Sequence, residues 1–154
     1  MVHGGPSFSA AALLDADAKE AVRAACDLAP LHNPPALLGI DVAEALFPGA
    51  AQVGVFDTAF HQTMGPEAYT YALPRSMRAG EGGVRRYGFH GSSYAYVAQA
   101  AANALGRRLE DLGLIVCHLG SGASMACVEG GRCVDTTMGM TPMEGLVMGT
   151  RGGD

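Results

Sequence analysis

Three strand-length segments separated by very short turns constrain this chain most. They are Gly113-Leu-Ile-Val-Cys-His118, Ala123 to Glu129 and Arg132 to Thr137. Turns as short as Leu119-Gly-Ser-Gly122 and Glu129-Gly-Gly131 join antiparallel neighbours, so the segment reads as a meander. After it comes Asp135-Thr-Thr-Met-Gly-Met-Thr-Pro-Met-Glu-Gly-Leu-Val-Met-Gly-Thr-Arg151-Gly-Gly-Asp154, where small residues surround a few charged ones. Backbone N–H groups with no side chains in the way, beside a fixed cation, suit a phosphate. A tight hairpin alone would also explain Gly120-Ser-Gly122. Arg151 is more informative, because a cation flanked by Gly149, Thr150, Gly152 and Gly153 has no packing role to explain it.

With 154 residues, 49% of them hydrophobic, one folded domain of ordinary size is expected. The net charge of −5, with Lys19 the single lysine, provides no basic stripe, and nucleic-acid binding is not expected. Cys26, Cys117, Cys127 and Cys133 show no Cys-x-x-Cys spacing. His3, His32, His61 and His118 show no ligand spacing either, so zinc, a disulfide framework and a histidine metal site are not expected. No apolar run approaches the ~20 residues of a membrane span. The expected location is the cytoplasm, with no membrane partner.

Along the chain, Met1 to Gly5 reads as a strand end running into a turn. Asp15 should cap a helix carrying Ala18, Val22, Ala25 and Leu28, ended by Pro30. Asn33 is placed as the N-cap of a second helix, with Pro34 at its first position and Leu37, Leu38, Val42 and Leu46 along it. Gln52 to Phe56 reads as a short strand with Asp57 at its mouth. Pro66, Pro74, Gly80, Gly82 and Gly83 mark loops. Ser92-Ser93 should open a helix carrying Val97, Ala98, Ala101 and Leu105, closed by Gly106. Thr141-Pro-Met-Glu144 matches a capping box, so another helix is expected near Pro142. Alternating strands and helices mean α/β. Two units are expected, 1–59 and 60–154.

Two further residues stand out by position. Asp57 ends a buried strand, where loop capping and a functional carboxylate are both open. His90 lies directly before a helix, beside N–H groups and a dipole suited to an anion, although on position alone a histidine that merely hydrogen-bonds a loop is the commoner case. The methionines at 138, 140, 143 and 148 read as core filler.

Six blocks together resemble the acetokinase family, of the sugar-kinase, Hsp70 and actin superfamily. They are Val2-His-Gly-Gly5, Leu28-Ala-Pro-Leu-His-Asn-Pro34, Val55-Phe-Asp-Thr-Ala-Phe-His-Gln-Thr-Met64, Arg86-Tyr-Gly-Phe-His-Gly91, His118-Leu-Gly-Ser-Gly-Ala-Ser124 and Asp135 to Asp154. The resemblance implies an incomplete ribonuclease-H-like (actin-like ATPase) α/β fold with parts of two lobes. It also implies reversible phosphoryl transfer from ATP to acetate with Mg²⁺. By position, Asp57 matches the active-site carboxylate, and His90 and Arg151 the transition-state stabilisers. His118, Leu119, Gly120, Ser121 and Gly122 match a nucleotide-phosphate loop. Val2, Leu31, Phe89 and Pro142 match the pocket around the acetate methyl. Acetate is ionised at pH 7, so Asp57 is read as a positioning and metal-shell group rather than a proton acceptor. Propionate kinase is the neighbouring activity.

Three positions depart from the family. Ser121 stands for its Asn, Tyr94 for its His, and Met1 for the first Val of Val-Val-His-Gly-Gly, directly after a substrate-binding Arg. The family's N-terminal phosphate hairpin, adenosine pocket and magnesium-binding Glu have no counterpart here. The chain is therefore expected to be a central segment of a homodimeric enzyme, with little activity alone.

Overall fold

The computed structural model describes residues 1–78 and 83–154. Gly80 and Gly82, expected as turn residues, lie outside the described residues.

The first half is built on two helices and a two-stranded sheet. Helix α1 (Ala16–Ala24) opens where expected, the Asp15 carboxylate accepting from Ala18 N at 2.8 Å. A 3-10 turn at Cys26–Leu28 follows before Pro30. Helix α2 (Asn33–Leu46) differs from expectation at its start. Its N-cap is His32, and Asn33 spends its amide elsewhere: Oδ1 accepts from His3 N (3.2 Å) and Nδ2 donates to His3 O (2.8 Å). Removing that clasp leaves two buried main-chain groups unpaired. Asn33→Ala should therefore cost about 2–4 kcal/mol, read as a lower urea midpoint with unchanged slope.

Strands β1 (Ala12–Leu13) and β2 (Val53–Gly54) pair antiparallel, a shorter strand than Gln52 to Phe56 suggested. Met1 lies alongside the next residues, its N donating to Val55 O (2.7 Å) and its O accepting from Asp57 N (3.0 Å). Val22, Leu37, Phe8, Leu14, Phe56 and Ala59 form one hydrophobic cluster, with Phe8 stacked on Phe56. Of the four expected apolar positions on α2, only Leu37 is buried; Leu38, Val42 and Leu46 are exposed, because α1 covers one side of the helix alone.

The second half is the meander: β3 (Gly113–Leu119), β4 (Ala123–Glu129) and β5 (Arg132–Thr136), in that order and antiparallel. Gly130 and Gly131 take φ of 57° and 81°, as a tight hairpin turn requires. Short helices α3 (Pro66–Tyr69) and α4 (Arg75–Arg78) precede α5 (Gly91–Leu105), which ends on Gly106 at φ 62°. The buried positions of α5 include Tyr94, Ala98 and Ala102; of the four expected apolar positions Ala98 is buried, whereas Val97, Ala101 and Leu105 are not. Beyond Tyr94 the buried positions are alanines, which let α5 pack closely against β3. Met64, Tyr94, Ala98, Val116, Ala126, Val128 and Cys133 make the second cluster. Phe60 packs against this cluster, whereas its neighbour Ala59 belongs to the first.

No helix forms at Pro142. The reciprocal bonds of a capping box are not formed either: Thr141 Oγ1 accepts from Met143 N (3.3 Å) and Glu144 Oε1 from Met140 N (3.0 Å), each one residue away from the box partner. Gly145, at φ 96°, then turns the chain back, and the glycine-rich run beyond it does not favour a helix. The other Glu144 oxygen accepts from Tyr71 OH (2.5 Å). Arg86 secures the same stretch, its Nη1 donating to the carbonyls of Thr136, Thr137 and Met138. Of the methionines, Met138 is fully buried, while Met143 is exposed.

Candidate active site

The N-terminus of α5, the β3–β4 turn and the segment that leads to Arg151 meet at His90. This is the one non-glycine described residue with positive φ, at 62°. Such a conformation persists only where the surroundings enforce it. Asp57 does so from one side: its Oδ2 accepts from His90 N (3.0 Å) and its main-chain oxygen from Gly91 N (2.9 Å). Two amides that the sequence seemed to offer to an anion are therefore already engaged. Ser124 acts from the other side, with its Oγ 2.7 Å from His90 Nδ1.

Gly91 must be glycine for this junction to close. A Cβ there would fall well inside contact distance of the Asp57 carbonyl oxygen and 2.8 Å from Phe60 Cβ. Gly91→Ala should cost about 2–3 kcal/mol despite the better helix propensity of alanine. Guanidinium unfolding would measure it, and a midpoint equal to or above wild type would contradict the packing described.

The imidazole edge bearing Nε2 lies against Gly122. A Cβ on Gly122 would lie 3.2 Å from His90 Nε2 and 3.2 Å from Arg151 Nη1, so this missing side chain leaves room between two nitrogen groups. Arg151 is set by Nη1 contacts to Pro142 O (3.4 Å) and Met148 Sδ (3.5 Å). Among the described residues no carboxylate lies in ion-pair range of it. The His118 ring stacks on that of His90, with centroids 4.0 Å apart, and its Nδ1 is 3.0 Å from Ser93 Oγ. Burial holds the His90 pKa below the ordinary histidine value; His118 and Arg151 push it the same way, against Asp57. A neutral imidazole and a guanidinium around a glycine-lined gap can stabilise an oxyanion or phosphoryl group.

His90, Arg151, His118, Gly122 and Pro142 are thus gathered in one place, with Asp57 tied beneath His90. Gly120 N donates to Gly122 O (3.1 Å), while Leu119 and Ser121 of the same turn are exposed. The four expected apolar pocket residues are not gathered alike. Phe89 is 3% exposed with its ring 5.7 Å from that of His3, next to Val2; Leu31 is 82% exposed. The Asn33–His3 clasp fastens the connector carrying Leu31 to the Val2 segment. Among the described residues, no group of three or more His, Cys, Asp and Glu is placed to hold a metal ion. Among the described residues, no helix is long and apolar enough to cross a membrane.

Sequence reasoning missed Ser124, Ser93 and the hydroxyl of Tyr94. Ser124 alternates with Ala126 and Val128 on the buried face of β4. A hydroxyl in an apolar alternation is the signal that was available, since a buried hydroxyl requires a partner.

The architecture is shared with solved structures. The crystal structure of Porphyromonas gingivalis acetate kinase matches all of this chain with a TM-score of 0.95 and 49% identity. A propionate kinase from Francisella tularensis subsp. tularensis SCHU S4 does so at 0.95 and 46%. This chain covers 38% and 39% of those two chains, respectively. The fold is accordingly part of an α/β, ribonuclease-H-like fold of the actin-like ATPase class. The Acetokinase family model matches residues 1–154, and the chain belongs to that family. Curated acetate kinases of Clostridioides difficile strain 630 and Deinococcus deserti are 53% and 57% identical over 154 residues. The chain spans 38% of the length of each.

Proposed function

We propose that this chain supplies the acetate-side half of a phosphoryl-transfer site in an acetate kinase, converting ATP and acetate into ADP and acetyl phosphate. The observation that carries the reading is the approach of His90 Nε2 and Arg151 Nη1 to the same point beside Gly122, with Asp57 bonded to His90 N. An acetate oxygen bonds to the γ-phosphorus while the bond to the β,γ-bridging oxygen breaks, and negative charge spreads over the equatorial oxygens. Arg151 takes those oxygens with its planar fork, and His90 adds a donor. Acetate arrives ionised, so no base removes a proton, and Asp57 orients His90. Gly120, Ser121 and Gly122, with His118 and Leu119, border the nucleotide phosphates. Val2, Phe89 and Pro142 are assigned to the acetate methyl group, with Leu31, carried on the connector that Asn33 fastens to His3, closing over it from its exposed position. The described residues offer no cluster that fits Mg²⁺, and no step here depends on it.

The division into lobes at 59/60 is supported by Ala59 and Phe60 serving different clusters. A cytoplasmic homodimer is the assembly we assign to the longer enzyme. Hydroxamate detection of acetyl phosphate tests the activity, using the chain alone and then mixed with the complementary segments of a relative. Product in the mixture supports the reading; none, with tight ATP binding by calorimetry, leaves a nucleotide-binding module. Comparing acetate with propionate settles the acyl group, since one methylene is worth only about 1–3 kcal/mol of discrimination.

A further inference from the structure

Ser124 Oγ sits between two partners, His90 Nδ1 at 2.7 Å and the Tyr94 hydroxyl, and both Ser124 and Tyr94 are fully buried. Three arrangements of the protons are possible. If Nδ1–H donates to Ser124, the serine proton goes to the Tyr94 oxygen. The phenolic proton then has no acceptor, because Ser124 is the one hydrogen-bond partner of Tyr94 OH among the described residues. If both Nδ1–H and the phenol donate to Ser124, the serine proton is stranded instead. Only the third leaves nothing buried and unpaired: Tyr94 donates to Ser124, and Ser124 donates to Nδ1. A buried donor left without an acceptor is disfavoured strongly enough for this arrangement to dominate.

We propose that Ser124, its hydroxyl oriented by Tyr94, is a positioning residue that holds His90 as the Nε2–H tautomer. The ring then presents a neutral donor to the gap beside Gly122 and Arg151. What that donor serves rests on the phosphoryl-transfer reading; the tautomer itself does not. The Asp57 bond to His90 N fixes the backbone, and the stacked His118 ring fixes the plane, so Ser124 supplies the remaining control over which nitrogen bears hydrogen. The residue acts through His90 and touches no substrate.

Two-bond ¹H–¹⁵N correlation spectra of the histidine-labelled chain at pH 8 read the tautomer directly. The expected result is a single His90 species with bare Nδ1 and protonated Nε2. Ser124→Ala should turn it into a mixture of tautomers while the His118 signals keep theirs, and Ser124→Thr should restore the single species. Should the alanine variant lose its cooperative melt, Ser124→Cys, a poor donor of similar size, replaces it with the same expectation. An Nδ1–H tautomer in the wild type, or an unchanged tautomer once the hydroxyl is gone, overturns the proposal. Acetyl phosphate is not read in these spectra, so loss of the kinase reading and loss of this one are separate results.

Discussion

Stability should fall steeply as the pH drops from about 6.5 toward 4, and the cause is two interior histidines. His3 and His61 are fully buried, and burial lowers the pKa of each to about 4 from the ordinary 6.5. His3 Nδ1 accepts from Gly5 N (2.9 Å), its Nε2 has no hydrogen-bond partner among the described residues, and its ring meets Tyr87 edge-on at 4.5 Å. His61 donates from Nε2 to Phe89 O (2.8 Å), and its Nδ1 lies 3.1 Å from Cys133 Sγ. Neither site welcomes a second proton. The unfolded chain takes up protons below 6.5 while the folded one does not until about 4, so the histidine contribution is complete above 6.5. It is lost as the pH falls through that window. Two such groups give a slope of up to about 2.7 kcal/mol per pH unit and a total of about 6 kcal/mol by pH 4, comparable with the lower end of the ~5–15 kcal/mol of an ordinary domain. Urea unfolding at pH 7.5, 6, 5 and 4.5 would show it. A stability flat between pH 7 and 5 would mean that these rings are hydrated in solution.

Arg151→Ala should lower acetyl phosphate formation by about 10²–10³-fold, the size expected when one fixed donor to the transition state is removed. The chain transplanted in place of the matching segment of the Porphyromonas gingivalis enzyme, with which it shares its fold at a TM-score of 0.95, provides the assay. Most of the loss should fall on kcat, as the proposed contact of the guanidinium with charge developing during transfer requires. Arg151→Lys should recover little, since an ammonium lacks the planar fork. Folding should be unaffected: the contacts of Arg151 are to Pro142 O and Met148 Sδ, both at least 3.4 Å long. A variant that retains wild-type turnover would remove Arg151 from the chemistry.

Local chemistry made part of this fold legible. Asp15 as a cap, Gly106 as a stop and Gly130-Gly131 as a hairpin each depend on one or two residues, and the strands of the meander follow from them. Tertiary demands decided the rest. Asn33 had two uses, and its pairing with His3 prevailed over capping because buried main-chain groups must be satisfied. Hydrophobicity favoured Val97 and Leu105 on α5, whereas contact with the sheet selected alanines. The capping signature at Thr141 did not become a box or a helix, because Gly145 follows it and turns the chain back. For the site, Asp57 and His90 were legible as strand-end and helix-start positions. Their junction, and the approach of Arg151 to Gly122, come from segments far apart in the chain. No local pattern reports such a meeting, and the resemblance alone suggested it.

Ala59 packs into one hydrophobic cluster and Phe60 against the other, and Asp57, two residues upstream, grips the start of α5. The chain thus has no slack at this crossing. Any swivel of one core against the other acts as a lever whose short arm is the His90 imidazole, converting a small rotation into a change of aim.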